Sequence, residues 1–225
     1  MQSVGGSVTR FTIRAVAELA ITVGLVLAAF VFYLLVWTNH RTAAAQDDLR
    51  DDFHAQQQAG HHRGAGKVEA PKSGDGFGIL HIPALGKKWS WVVVEGVSED
   101  DLAKGPGHFP GTALPGEVGN FAVAGHRATH GEPFAELDKL QVGDPVVVET
   151  VDGWLVYDVT WVRILSPSAT EVLAPVAGHP GTKAEQRTVT LVTCNPRWSS
   201  TERLVVGAQL VERRSADAGP PAELG

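Results

Sequence analysis

A run of nineteen residues without a charged side chain, Leu19 to Trp37, is the strongest constraint on how this chain can fold. As an α-helix the run would be about 28 Å long, close to the roughly 30 Å of a bilayer's hydrocarbon core. Glu18 lies at one edge of the run, and Tyr33 and Trp37 are typical of the opposite membrane interface. The sequence therefore predicts one transmembrane helix over residues 15–37.

The residues that flank this helix indicate how it crosses the membrane. Arg10, Arg14 and the amino terminus favour a cytoplasmic start, although further arginines follow the span. Ala43 to Ala45 resembles a signal-peptidase site, but the apolar run is longer than the roughly 7–15 residues of a cleaved signal peptide's core. We expect an uncleaved signal anchor: residues 1–14 form a cytoplasmic tail, and a single-pass protein of the cell membrane exposes the rest of its chain outside the cytoplasm.

The segment after the predicted span has the composition of a tether. Residues 38–75 are rich in Ala, Gln, Asp, Gly and His and contain few bulky apolar side chains. Such a stretch cannot bury a core, so we expect a flexible extracytoplasmic linker, with a short helix around Asp47 to Gln58 left open. A disordered tail is expected over residues 213–225.

The remaining residues, 76–212, are about the size of one domain. Their apolar stretches are short and β-branched, for example Gly78 to Ile82 and Val189 to Val192, and turn signals separate them. Asp152-Gly153 is the clearest hairpin. The pattern predicts an all-β domain of seven or eight strands in a closed or nearly closed barrel. One or two short helical turns are predicted at Ser98 to Lys104 and Pro133 to Leu137.

The charges and the histidines argue against two classes of ligand. The formal net charge is −6 at pH 7 and no basic stripe is present, so we expect no nucleic-acid partner. No carboxylate cluster resembles a calcium loop, and the tandem His61 and His62 lack the ligand spacing of a metal site. We therefore expect neither a metal nor a cofactor.

Cys194 is the only cysteine among the 225 residues, and it ends a β-type run that begins at Thr188. A structural cysteine in an exported domain would normally have a disulfide partner, so an unpaired thiol indicates either a buried core residue or a nucleophile. A thiol nucleophile needs a base or a cation nearby. The candidates are His126, which follows an apolar run, and Arg203, nine positions after the cysteine. Spacing alone also leaves ordinary structural roles open for all three residues.

The residues around these candidates carry a family signature. Thr190 to Cys194 (TLVTC), followed by Arg203 to Val206 (RLVV), resembles the motifs of the sortases, the cysteine transpeptidases of Gram-positive cell surfaces. Ala124 to Arg127 (AGHR) stands in the place of the family's catalytic histidine, which puts His126 68 positions before the cysteine. The resemblance covers about residues 77–211 and is greatest to the class E enzymes of actinobacteria.

This resemblance implies an eight-stranded closed sortase barrel and a reaction. Cys194 would attack the Thr-Gly carbonyl of a C-terminal LxxTG-type sorting signal and form a thioacyl enzyme. His126 would protonate the departing amine and later deprotonate the incoming one, while Arg203 would steady the thiolate or the tetrahedral oxyanion. The implied partners are surface proteins with an LxxTG-type motif, a peptidoglycan-precursor amine and the membrane.

The resemblance also implies a peptide-binding set. Its members are His130, Val172, Leu173 and Thr193. The segment from Ser166 to Gln186, which contains two of them, resembles the loop that clasps the sorting peptide in sortases, although it could equally be an ordinary surface loop. His130 stands where class E relatives usually carry tyrosine, so the choice between LAxTG and LPxTG stays open.

Two other classes of protein fit parts of the sequence. A cysteine endopeptidase would use the same thiol and imidazole but transfer the acyl group to water. A non-enzymatic extracytoplasmic wall-binding β-domain would need no thiol, and its function would survive replacement of Cys194 by serine.

Overall fold

A long N-terminal helix is the first feature of the computed structural model, which describes residues 4–60 and 71–225. Helix α1 (Val4–Phe32) continues through a π-helical segment (Tyr33–Trp37) into helix α2 (Thr38–Gly60). The part that is long and apolar enough to cross a membrane is Arg10–Phe32, which overlaps the predicted span of 15–37. The cytoplasmic position of the amino terminus remains a prediction. The tandem histidines His61 and His62 lie outside the described residues.

Eight strands follow and close into a barrel, as predicted. Neighbouring strands around the barrel are in the order β1-β2-β3-β4-β7-β8-β6-β5. Pairs β2–β3 and β4–β7 are parallel, and the other pairs are antiparallel. The strands are β1 (Gly76–His81), β2 (Ser90–Glu95), β3 (Gly107–His108), β4 (Gly119–Ala124), β5 (Pro145–Thr150), β6 (Gly153–Leu165), β7 (Arg187–Asn195) and β8 (Glu202–Ser215).

Alternate side chains of these strands fill the barrel, because successive residues of a strand point to opposite faces. Phe121 and Val123 of β4 and Val189 and Leu191 of β7 belong to one buried apolar cluster. The residues between them on β4 and β7 therefore face the outside of the barrel. This alternation decides which side chains can reach a substrate.

The short elements follow the sequence closely but not everywhere. Strands β5 and β6 form the predicted hairpin, and Gly153 has the positive φ of +138° that favours glycine. Helix α3 (Glu99–Leu102) begins at the N-cap Ser98 within the predicted turn. The turn predicted at Pro133 to Leu137 is present but extends further: the Leu137 N–H donates to the Phe134 carbonyl at 3.3 Å, and a 3-10 turn continues over Leu137–Lys139.

The predicted flexible linker is wrong for residues 38–60, because α2 packs on the outer wall of the barrel. Phe53 of α2 is fully buried against Ile79 of β1 and Val92 of β2, both of which face outward. Gln46 supplies the polar part of the interface: its Nε2 donates to the Val92 carbonyl at 3.0 Å, and its Oε1 accepts from the Val92 N–H at 2.7 Å. One aromatic ring and one paired amide therefore fix a helix whose composition is otherwise polar.

The predicted disordered tail over residues 213–225 is also corrected. Strand β8 continues to Ser215, and short 3-10 turns follow at Ala216–Ala218 and Ala222–Leu224. Arg214 holds this end of the chain, since its Nε donates to the Gly219 carbonyl at 3.1 Å. Pro221 is buried.

Truncating the Phe53 side chain should therefore destabilise the barrel and not merely free a tether. We expect Phe53→Ala to lower the free energy of unfolding of a soluble chain of residues 38–225 by about 3 kcal/mol, the usual cost of deleting a buried phenyl ring. Denaturant unfolding measures the change, and Asp52→Ala on the exposed face of α2 is the matched control. Equal unfolding midpoints for the two variants would show that α2 does not support the barrel.

Candidate active site

The parallel ladder between β4 and β7 places the two principal candidates side by side. The ladder pairs Ala124 with Val192, and the Gly125 N–H continues it by donating to the Val192 carbonyl at 3.1 Å. Thr193 closes the end of the ladder, because its buried hydroxyl donates to the Gly125 carbonyl at 2.7 Å. The residue after Gly125 and the residue after Thr193 are the candidates, namely His126 just beyond the end of β4 and Cys194 on β7.

Glycine at position 125 is required by a close aromatic neighbour. A Cβ atom built on Gly125 would lie 2.6 Å from the Phe134 ring, so any larger residue would displace the ring or the strand end. The Phe134 N–H also donates to the His126 carbonyl at 3.0 Å. These contacts hold the backbone of His126 from both sides, which explains the small residues before the histidine.

Cys194 and His126 line the same surface pocket, which has a volume of about 290 Å³. Its other walls come from the turn after His126 and from the loop between β7 and β8, which contributes Trp198 to Ser200. Cys194 is partly exposed and has no disulfide partner. The thiol is therefore accessible from the outside of the barrel beside an imidazole, as a nucleophile would be.

The environment of His126 favours the neutral imidazole. Burial lowers the pKa of His126 below its ordinary value, and the nearby charge of His130 lowers it further. The two rings stack, with centroids 4.7 Å apart and planes inclined by 25°. Burial also lowers the pKa of His130. A neutral His126 can accept a proton, and it carries a positive charge only in a minority of molecules at neutral pH.

Arg203 lies next to Cys194 but does not line the pocket. The two residues are partners across the β7–β8 ladder, so their side chains project from the same face. The Arg203 Nη1 donates to the carbonyls of Ser200 at 3.1 Å and Glu202 at 2.9 Å. The guanidinium is thus held by the loop that forms one wall of the pocket.

Arg127 is a charged residue of the site that the sequence analysis missed. Its side chain is 8% exposed, and its Nη2 lies 3.0 Å from Asp138 Oδ1. Its Nη1 donates to the Cys194 carbonyl at 3.5 Å and to Asn195 Oδ1, while the buried Nε has no partner among the described residues. A buried arginine is rare unless paired. Arg127 therefore clamps the end of β7 that carries the thiol.

The predicted peptide-binding residues do not share one environment. Thr193 points into the barrel and is 2% exposed, so its assignment as a peptide contact is corrected: it orders the backbone behind the site. Val172 is also buried, in the 3-10 turn Thr170–Leu173, and Leu173 is partly exposed. His130 stacks on His126 on the side toward the N-terminal helix.

Comparison with known proteins agrees with this architecture. The model of the sortase domain family matches residues 80–211. The chain is 41% identical to sortase SrtE1 of Streptomyces coelicolor, over 94% of this chain and 60% of that protein. It is 37% identical to SrtE2 of the same organism, over 97% of this chain and 90% of that protein.

Solved structures of related enzymes superpose on the barrel. Sortase E from Streptomyces avermitilis matches with a TM-score of 0.63 and 40% identity, covering 68% of this chain and 99% of that one. Sortase E1 from S. coelicolor with a tripeptide in its active site matches with a TM-score of 0.63 and 41% identity, covering 69% and 100%. Its closed barrel, its Cys-His pocket and these likenesses together show that the chain belongs to the sortase family.

Proposed function

We propose that this protein is a membrane-anchored cysteine transpeptidase that joins surface proteins to an amine of a peptidoglycan precursor. The observation that carries the proposal is the shared pocket of Cys194 and His126, outside a barrel that follows an apolar helix. An intracellular hydrolase with this pocket would not need a membrane anchor. In a transpeptidase, an anchor confines the enzyme, the substrate and the acceptor to one thin layer at the membrane.

The proposed reaction uses the two side chains in sequence. The Cys194 proton passes to His126, and the thiolate sulfur attacks the carbonyl carbon of the threonine in the sorting signal. The tetrahedral intermediate collapses as His126 donates its proton to the departing glycine amine, which leaves a thioester. An incoming amine then attacks the thioester while His126 takes its proton, and the regenerated thiolate leaves with an amide as product.

The two arginines have different parts in this proposal. Arg203 lies beside the thiol on the outer face of the ladder, where its charge can steady the thiolate or the oxyanion. Arg127 also lines the pocket, but its buried guanidinium is already engaged, because its Nη1 donates to the Cys194 carbonyl and to the Asn195 side-chain Oδ1. We assign Arg203 to catalysis and Arg127 to positioning.

We infer that the sorting peptide lies extended in a groove on the outer face of β4 and β7 that leads away from the thiol. Ala124 and Val192 face outward there and are partly exposed, so this part of the surface is small and apolar. Its far end is closed by the loop before β7, which Asn120 holds by donating to the carbonyls of Val172 at 2.8 Å and Ala174 at 3.1 Å. Thr190, at that end, is four residues and thus about 13 Å from Cys194 along the strand.

This length suits the proposed LxxTG-type signal. The leucine precedes the threonine by three residues, which is about 10 Å in an extended chain. A cavity of about 580 Å³ lies around Thr190, lined among others by Trp161, Val176 and Gly207. We propose that this cavity receives the leucine side chain, with either alanine or proline at the next position.

The two alternative functions differ from this proposal in what happens to the thioester or to the thiol. An endopeptidase would transfer the acyl group to water and gain nothing from an added amine. A wall-binding domain would keep its function when Cys194 is replaced. Product analysis separates the three.

Incubation of residues 38–225 with LAxTG and LPxTG peptides tests the function. With an added amine such as triglycine or diaminopimelic acid, we expect mass spectrometry to find peptide cleaved after threonine and joined to the amine. Cys194→Ala and His126→Ala should each abolish this product, because each removes a group that bonds to the reacting atoms or moves a proton.

His179→Ala, in the exposed loop before β7, is the matched histidine control and should keep its activity. Thermal melting should show all variants folded. Hydrolysed peptide as the main product at saturating amine would favour the endopeptidase, and unimpaired product formation by Cys194→Ala would contradict the transpeptidase mechanism.

The stacked His130 should set the acid limb of the pH–rate profile. In the proposed mechanism the active form has a thiolate and an imidazolium. Below the pKa of His126 the thiol and the imidazole each carry their full number of protons, so activity is lost at low pH. His130→Phe keeps a stacked ring but removes the charge that lowers this pKa. The pKa of His126 should therefore rise and remain below its ordinary value, because burial persists.

We expect the acid limb of kcat/KM to move to higher pH and the maximum to increase, since a larger fraction of the enzyme then carries the imidazolium. NMR titration of the His126 ring in the wild type and in His130→Phe measures the pKa directly, with His179→Gln as the control. An unchanged or lower His126 pKa in His130→Phe would show that His130 does not tune the catalytic imidazole.

A further inference from the structure

A second pocket lies where the membrane helix meets the barrel, and the proposed reaction does not use it. Its volume is about 540 Å³, and its walls come from the end of the π-helical segment, the first turns of α2, α3 and the turn after His126. Its lining residues include Tyr33, Trp37, Thr38, Arg41, Lys104 and His130. The pocket therefore joins the membrane anchor to the neighbourhood of the catalytic histidine.

The pocket carries two cations without ion-pair partners. The side chains of Arg41 and Lys104 form no hydrogen bond or ion pair with any residue in the described ranges 4–60 and 71–225. Arg41 is exposed, and the Lys104 ammonium group lies beside Gly74. Asp100 is the acidic residue on the same wall, so the pocket keeps an excess of positive charge. An arginine and a lysine free of carboxylates can bind the oxygens of a phosphate group.

The aromatic residues place this positive pocket at the height of lipid headgroups. Tyr33 and Trp37 are 51% and 54% exposed and follow directly after the apolar span that ends at Phe32. Tyrosine and tryptophan are enriched at the membrane–water interface, where headgroup phosphates lie. Arg41 is one helical turn beyond Trp37, about 6 Å farther from the hydrocarbon core.

The pocket is coupled to the active site by short contacts. The Gly131 N–H donates to Asn39 Oδ1 at 2.8 Å, and the His130 N–H donates to Thr38 Oγ1 at 3.5 Å. The His130 ring in turn stacks on His126. A ligand in this pocket would lie on the side of His126 away from the β7 strand, from which an acceptor could reach the thioester.

We propose that this pocket binds the phosphate group of a membrane lipid, with Arg41 and Lys104 on the phosphate oxygens and Tyr33 and Trp37 on the adjoining apolar chain. The phosphate can belong to a bulk anionic phospholipid or to a lipid-linked diphosphate. The binding itself is independent of transfer chemistry. A role in presenting an acceptor amine to His126 rests on the proposed function.

Native mass spectrometry of the full-length chain in detergent micelles tests the inference with two probes, phosphatidylglycerol and farnesyl diphosphate. We expect the Arg41→Gln, Lys104→Gln double variant to bind the preferred probe at least about tenfold more weakly than the parent, since each substitution removes a charge-assisted hydrogen bond. The matched double variant Lys87→Gln, Lys88→Gln, elsewhere on the barrel, should bind like the parent.

Each outcome decides a point. Phosphatidylglycerol binding that the pocket variant loses identifies the bulk lipid as the source, and selective loss of farnesyl diphosphate identifies a lipid-linked diphosphate. Equal binding by parent and pocket variant, or no binding of either probe by the parent, would overturn the proposal. The experiment measures lipid binding and not peptide transfer. A protein that binds neither probe could still be a transpeptidase, and a protein that fails the peptide test could still bind the lipid.

Discussion

The parallel pairing of β4 with β7 is the constraint on which the rest of the site depends. These strands are far apart in sequence, and their register decides that the residue after Gly125 lies beside the residue after Thr193. A shift by one residue would turn Cys194 into the barrel and bring Thr193 out. The Thr193 hydroxyl on the Gly125 carbonyl resists such a shift, because an unpaired buried carbonyl would cost about 1–3 kcal/mol. Thr193 therefore orients the backbone that carries His126 and Cys194.

The surroundings of His126 and Cys194 determine how readily these two side chains become charged. Burial and the charge of His130 lower the pKa of His126, so its imidazolium is scarce at neutral pH. Cys194 ends a strand and does not begin a helix, so no helix dipole favours its thiolate. Arg127 donates to the Cys194 carbonyl, and Arg203 is bonded to the loop beside the thiol.

Much of the barrel, and the approach of Cys194 and His126 in one pocket, could be predicted from the sequence, because both depend on local patterns. Alternating β-branched runs predict strands, and a lone exported cysteine with a signature histidine predicts a nucleophile and its base. Strand β3 could not be predicted, since its two residues pair only because β2 and β4 lie on either side. The packing of α2 against the barrel could not be predicted from the sequence, because it depends largely on Phe53 and Gln46 in a polar segment. Arg127 was missed because its burial follows from long-range contacts with Asp138 and the end of β7.

The pH dependence of Cys194 alkylation tests whether the fold places the thiol beside an imidazole that is mostly neutral. Iodoacetamide reacts with the thiolate, so its rate reports the thiolate population without any sorting peptide. We expect slow alkylation at pH 5 that rises toward alkaline pH, in a profile that changes when His126 is replaced by alanine. Rapid alkylation of the wild type at pH 5, lost in His126→Ala, would reveal a standing thiolate–imidazolium pair and would contradict this account.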